Sequence, residues 1–150
     1  DGVCAVCIPG SAPNVARSEC TVCAEFSYST TGETCVACEE PSVVDGTDST
    51  GVGGTGCRRC NPGEAPNAQR TQCEECVAGQ FSSFGVQCQA CTAPLVVQES
   101  RTQCNACPAG QGPNDDYTGC VSCSGTTYST IGQCVECVAP NIVEDSFQTC

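Results

Sequence analysis

Residues 57–76 read CRRCNPGEAPNAQRTQCEEC, two C-x-x-C pairs separated by 12 residues. That spacing suits a zinc cage, a redox-active dithiol or a disulfide staple, and the rest of the chain has to decide among them. Nearly the same string recurs at 7–23 and again at 107–123. Cysteine supplies 19 of the 150 residues, above the roughly 8–10% that marks a disulfide scaffold. Eighteen of them form nine C-x-x-C pairs that start at residues 4, 20, 35, 57, 73, 88, 104, 120 and 134, and Cys150 follows alone.

The segments between pairs fall into three kinds that rotate strictly along the chain. The first kind is CIPGSAPNVARSEC (7–20), CNPGEAPNAQRTQC (60–73) and CPAGQGPNDDYTGC (107–120). It repeats a glycine (Gly10, Gly63, Gly110), a Pro-Asn pair, and then Ser18, Thr71 or Thr118. The second kind is CAEFSYSTTGETC (23–35), CVAGQFSSFGVQC (76–88) and CSGTTYSTIGQC (123–134). Each carries an aromatic five residues past its first cysteine (Tyr28, Phe81, Tyr128), two hydroxyl residues, and then Gly32, Gly85 or Gly132. The third kind, at 38–57, 91–104 and 137–150, repeats Pro41, Pro94 or Pro140 before Val43-Val44, Val96-Val97 or Ile142-Val143. Three units of three loops follow, at 7–59, 60–106 and 107–150, with residues 1–6 as the end of a preceding unit.

Pro-Asn pairs and isolated glycines mark turns. The runs between them are three to five residues rich in Val, Thr, Tyr and Phe, which suits short strands. No window carries helical periodicity. The expected fold is an elongated ladder of small disulfide-rich repeats, short two-stranded β-fingers and loops with little or no helix. His, Lys, Met and Trp are absent, and Leu95 is the only leucine, so apolar side chains are too few for one large core. Covalent staples have to offset an ordering cost of about 1–2 kcal/mol per residue.

Zinc fits poorly, because nine pairs leave an incomplete set and no histidine is present. A thioredoxin-type dithiol needs a helix N-terminus in a βαβ setting, which nine copies in a helix-poor chain do not offer. Structural disulfides remain, and they place the protein in an oxidising, extracellular compartment. Three connectivities are compatible with the spacing. In the scheme adopted, each loop closes on itself: Cys7–Cys20, Cys23–Cys35, Cys38–Cys57, Cys60–Cys73, Cys76–Cys88, Cys91–Cys104, Cys107–Cys120, Cys123–Cys134 and Cys137–Cys150. Cys4 is then paired outside the segment. Each such loop stabilises by roughly 3 kcal/mol in the chain-entropy account. An interlocked scheme instead joins Cys4 to Cys20 and Cys7 to Cys23 and strands Cys137; bonds within single C-x-x-C pairs are the third.

The second loop kind resembles the ephrin-receptor-like cysteine-rich repeat of the growth-factor-receptor class, related to tumour-necrosis-factor-receptor and epidermal-growth-factor-like modules. The resemblance implies an extracellular, disulfide-laddered rod in which Tyr28, Phe81 and Tyr128 lie over disulfides. Arrays of this composition and length also resemble the cysteine-rich surface proteins of protists and algae, including those of flagellar hairs (mastigonemes).

The net charge of −12, with only Arg17, Arg58, Arg59, Arg70 and Arg101 as cations, argues against a nucleic-acid or anionic-lipid partner. No apolar run is long enough to span a membrane. The stretch DGTDSTGVGGTG (45–56) lengthens one third-kind loop and reads as a flexible surface insertion; Asp45 and Asp48 lack the ligand spacing and closing glutamate of a calcium loop. Ser/Thr clusters at 27–31, 47–55 and 124–130 are candidates for O-glycans, and no N-x-[ST] sequon occurs. Without His or Lys, and with no carboxylate recurring at a fixed place, catalysis and cofactor binding are not expected. The absence of a starting Met and a signal peptide leads us to expect a segment of something longer. The functional expectation is a non-enzymatic structural rod or spacer whose partners are other segments or copies of one large extracellular protein. The alternative is a ligand-binding receptor or adhesin ectodomain.

Overall fold

The computed structural model describes residues 6–47, 51–138, 141 and 143–150. Among these the fold is all-β, without helix: sixteen strands of two or three residues pair into eight two-stranded antiparallel or hairpin-linked sheets. Hairpin 1 pairs β1 (Ser11–Pro13) with β2 (Cys20–Val22), and hairpin 2 pairs β3 (Ser27–Tyr28) with β4 (Val36–Ala37). Hairpin 3 joins β5 (Val43–Asp45) to β6 (Gly56–Arg58), and hairpin 4 joins β7 (Glu64–Pro66) to β8 (Cys73–Glu75). Hairpin 5 is β9 (Gln80–Phe81) with β10 (Gln89–Ala90), and hairpin 6 is β11 (Leu95–Val97) with β12 (Cys104–Ala106). Hairpin 7 is β13 (Gln111–Pro113) with β14 (Cys120–Ser122), and hairpin 8 is β15 (Thr127–Tyr128) with β16 (Val135–Glu136). Cys137 and Cys150 close a ninth loop.

The chain divides into two compact units. One comprises residues 1–61 and 65–74, the other 62–64 and 75–150. The division therefore runs through hairpin 4.

Each loop is closed by its own disulfide. Cys7–Cys20, Cys23–Cys35, Cys38–Cys57, Cys60–Cys73, Cys76–Cys88, Cys91–Cys104, Cys107–Cys120, Cys123–Cys134 and Cys137–Cys150 are bonded, with Cα–Cα distances of 5.5–5.9 Å. Cys4 lies outside the described residues. The two ends of a bridge are not equivalent. In the first eight loops the opening cysteine is no more than 5% exposed, whereas the closing cysteine is exposed or half-exposed. Among the described residues the opening half-cystines of the first eight loops, with Val43, Val44, Val96 and Ala12, are the buried apolar side chains, so the disulfides stand where a larger protein puts leucine and phenylalanine. Nine disulfides imply an oxidising compartment.

The turn chemistry follows from sequence. In hairpin 1 Asn14 N–H donates to Glu19 C=O at 2.9 Å and Arg17 N–H to Asn14 C=O at 2.8 Å, a four-residue loop built on a β-turn. The Asn14 side chain locks it, since Oδ1 accepts from Ser18 N–H at 3.0 Å and Nδ2 donates to Ser18 Oγ at 3.2 Å. Asn67 with Thr71 and Asn114 with Thr118 repeat both contacts, which accounts for the Pro-Asn…Ser/Thr pattern of the first loop kind.

The insertion at 45–56 departs from the flexible loop expected of it. Asp48, Ser49 and Thr50 lie outside the described residues, but Gly54 is buried, and Gly53 N–H donates to Cys23 C=O at 3.0 Å. A Cβ at Gly54 would collide with Val44 Cγ1 and lie 2.8 Å from Ser27 O, so only glycine lets the backbone approach there. The extra residues let hairpin 3 present the same contact that the shorter third-kind loops make.

Candidate functional site: the junctions between hairpins

Two-stranded hairpins of two or three residues have no independent stability, so what joins one to the next decides the structure. In the first unit, Gly10 N–H donates to Ser29 C=O at 2.8 Å, Ser29 N–H to Gly54 C=O at 2.9 Å, and Val44 N–H to Arg70 C=O at 2.8 Å. In the second unit, Gly63 N–H donates to Ser82 C=O at 2.7 Å and Ser82 N–H to Arg101 C=O at 2.9 Å. Val97 N–H to Tyr117 C=O follows at 2.8 Å, then Gly110 N–H to Ser129 C=O at 2.7 Å and Ser129 N–H to Phe147 C=O at 2.8 Å. Every successive pair of loops is thus joined by backbone hydrogen bonds, and the amides of Cys23, Cys76 and Cys123 add a bond back to the carbonyls of Gly10, Gly63 and Gly110.

Three residue types build these junctions. The first is the serine after each second-kind aromatic. Ser29, Ser82 and Ser129 are no more than 2% exposed, and each donates forward and accepts from behind. A small side chain is required at a point enclosed on both sides. The Ser29 hydroxyl accepts from Gly32 N–H at 3.1 Å, whereas Ser82 Oγ and Ser129 Oγ are buried without a hydrogen-bond partner.

The second is the residue three before the closing cysteine in the first-kind loops and in the third-kind loops at 91–104 and 137–150; Gly54 holds the same place at 38–57 without a left-handed φ. Arg17, Arg70, Arg101, Tyr117 and Phe147 all have φ between 53° and 55°, the left-handed region that non-glycine residues seldom occupy. That conformation aims the carbonyl at the preceding hairpin. Arg70 and Arg101 then reach back with their side chains as well. Arg70 Nε donates to Ser42 C=O at 3.0 Å, Nη2 donates to Ser42 and Cys38 carbonyls, and the guanidinium lies 5.4 Å from the centroid of the Phe26 ring. Arg101 Nη1 donates to Cys76 C=O and meets Glu75 Oε2 at 3.1 Å.

The third is the first-kind glycine. Gly10, Gly63 and Gly110 have φ of 80–87°, and a Cβ on Gly63 or Gly110 would sit 2.7 Å from Ser100 O or Ser146 O. Each is pressed against the turn of the third-kind loop two loops further on.

The aromatics Tyr28, Phe81 and Tyr128 are half-buried in β3, β9 and β15, opposite Val36, Gln89 and Val135. Asp45 carries an ion pair, with Arg58 Nε 2.8 Å from Oδ1, and Asp48 lies outside the described residues. Among the described residues no group of three or more His, Cys, Asp or Glu side chains is placed to hold a metal ion, and no helix is long and apolar enough to cross a membrane. Residue matching of the loops finds the serines and glycines. It passes over the left-handed position, whose occupants Arg, Tyr and Phe share no side-chain chemistry.

No family model matches this chain, and no curated protein matches it.

Proposed function

We propose that the chain is a non-enzymatic structural segment, a rod or spacer within a larger extracellular surface or filament protein. The observation that carries this reading is the near-equivalence of the junctions: the same few kinds of backbone hydrogen bond join each loop to the next. Repetition of one contact builds length, whereas a binding or catalytic protein concentrates its chemistry at one place. Self-closed disulfide loops add resistance to proteases, and an acidic surface of net charge −12 keeps such a segment soluble. Partners are other segments or copies of the same extracellular protein, with O-glycans on the Ser/Thr clusters; no cofactor, nucleic acid or membrane enters the reading. Antibody labelling of intact source cells, followed by electron microscopy, is expected to decorate surface structures. Label confined to the cytoplasm overturns the proposal. Small-angle scattering adds a second check, with a radius of gyration well above the roughly 15 Å of a compact chain of this length expected.

One observation favours a ligand-binding ectodomain instead. Phe84 is 81% exposed and Val86 50% exposed, on either side of Gly85 at a second-kind loop tip, and Ile131 at the matching tip is 71% exposed. Apolar tips of this kind suit a protein partner. Loss of cell-surface or partner capture in Phe84→Ser with Ile131→Ser, in a chain that still folds, favours this second reading.

A further inference from the structure

Arg58 sets a cation against a disulfide sulfur. Its Nη1 donates to Cys73 Sγ at 3.3 Å, while Nε is held by Asp45 Oδ1 at 2.8 Å. Arg58 stands in β6 and Cys73 in β8, so the contact bridges hairpins 3 and 4, and both residues lie in the first compact unit. Asp45 fixes the guanidinium through Nε and leaves Nη1 aimed at the sulfur. Arg59, exposed, adds a second cation directly before Cys60, the other half of the same bridge. Glu74 follows Cys73 in the strand and so stands on the opposite face of β8, where its Oε1 accepts from Gln72 Nε2 at 3.4 Å. Arg70 and Arg101 direct their guanidinium groups to carbonyls instead.

A disulfide opens when a thiolate RS− attacks one sulfur in line with the bond. At this bridge Cys73 is half-buried and Cys60 only 5% exposed, so attack falls on Cys73 Sγ. The RS–Sγ bond forms as the bond to Cys60 breaks, and the electron pair leaves on Cys60 Sγ, which then takes a proton from water. A second RS− attacks the mixed disulfide, releasing RSSR and the Cys73 thiolate. Two thiols are oxidised to one disulfide as one cystine is reduced to two cysteines. Negative charge spreads over three sulfurs during each attack, and a cation already fixed beside the middle one lowers that barrier. The rest of the surface repels an anionic thiol, because the chain carries a net charge of −12.

We propose that Cys60–Cys73 is a redox-labile bridge, opened ahead of the others by an anionic low-molecular-weight thiol, and that its opening releases the junction between hairpins 3 and 4. The loop it closes carries Arg70, whose carbonyl accepts from Val44 N–H and whose guanidinium holds the carbonyls of Ser42 and Cys38. Without the staple the left-handed turn at Arg70 loses the restraint that forms it, so this grip is released while the other loops stay closed. The device needs only the bridges themselves and does not depend on what the segment is built into. Exposure alone ranks the bridges differently: Cys20, Cys35 and Cys57 are exposed, so a purely steric order opens their bridges first.

The test is limited reduction of the native protein by glutathione, after any free thiol has been blocked with N-ethylmaleimide. Samples are quenched at intervals with iodoacetamide and mapped by mass spectrometry. Label is expected at Cys60 and Cys73 before any other half-cystine. Arg58→Gln should slow that labelling by about fivefold, the effect of one nearby charge in a largely aqueous setting, with the other bridges as internal controls. A merely structural role for Arg58 predicts the opposite, since loosened hairpins would admit the thiol faster. Hydrogen–deuterium exchange at the Val44 amide should accelerate once this bridge is open, while the Ser82 amide stays protected. If Cys7–Cys20, Cys23–Cys35 or Cys38–Cys57 opens first, or if Arg58→Gln leaves the rate at Cys60–Cys73 unchanged or raises it, the proposal falls. It falls as well if Val44 stays protected after this bridge has opened.

Discussion

The amide of Ser82 donates to the carbonyl of Arg101 at 2.9 Å, and the Arg101 guanidinium returns to the carbonyl of Cys76, in the same hairpin as Ser82. One residue thus accepts through its backbone and donates through its side chain to a single neighbour. The left-handed conformation makes this double grip possible, because it aims the carbonyl at the preceding hairpin while the side chain folds back over it. An unfavourable backbone conformation, of order 1–3 kcal/mol, is held in place by these bonds.

Arg101→Ala removes the charged hydrogen bond to Cys76 and keeps the backbone cost, so a loss of about 1.5–3 kcal/mol is expected. Amide exchange at Ser82 should accelerate by at least tenfold, read by hydrogen–deuterium exchange. Glu75→Gln should cost no more than about 0.5 kcal/mol, because that carboxylate is 77% exposed and its ion pair is screened. Equal effects from the two substitutions would show that the ion pair, and not the carbonyl contact, holds the junction.

Glycines divide by what surrounds them. Gly63→Ala places a methyl 2.7 Å from Ser100 O at a φ of 87°, and should destabilise by more than about 1 kcal/mol. Gly119 has nothing within 4 Å of a built Cβ and no left-handed φ, so Gly119→Ala should be neutral or mildly stabilising. Urea midpoints of the two variants measure the contrast.

The buried serines separate backbone from side-chain roles. Ser82→Ala deletes a hydroxyl that has no partner and should leave stability unchanged or raise it. Ser29→Ala deletes the acceptor of the Gly32 amide and should cost about 0.5–1.5 kcal/mol. Ser82→Leu should disrupt the fold, since at 2% exposure the site has no room for a larger side chain. Thermal melts of the three variants decide the order.

Trypsin reads the connectivity directly. The chain has no lysine, and Arg17, Arg70 and Arg101 lie inside the Cys7–Cys20, Cys60–Cys73 and Cys91–Cys104 loops. Cuts there leave the pieces bonded. Arg58 and Arg59 lie between Cys57 and Cys60, where no bridge crosses. Exhaustive digestion of the unfolded but unreduced protein should therefore yield two disulfide-linked assemblies, ending near residue 59 and beginning at residue 60. A single assembly would mean that bridges cross this linker.

Reduction should abolish the fold, because among the described residues the largest fully buried side chains are only valines, half-cystines and serines. Far-ultraviolet circular dichroism after dithiothreitol, compared with the same protein in EDTA, checks this. Loss of signal on reduction and none on chelation is expected.

Local structure was legible in the sequence to the extent that single residues dictate it. Cysteine spacing, the Pro-Asn turns and the short Val/Thr/aromatic runs led to a ladder of two-stranded fingers, and eight such hairpins are present among the described residues. These signals work because turn residues restrict φ and hydrogen-bond their own neighbours, with no need of distant contacts. Only the tertiary structure decided how one finger grips the next. At the left-handed position Arg17, Arg70, Arg101, Tyr117 and Phe147 share no side-chain type, since the group that makes the junction is a carbonyl that every residue carries. Nor does residue type distinguish the buried Cys76 from its half-buried partner Cys88. Which half of each bridge is enclosed, and which serine is sealed between two hairpins, depends on how the folded loops stack, because burial is a property of the assembled surface and not of the local chain.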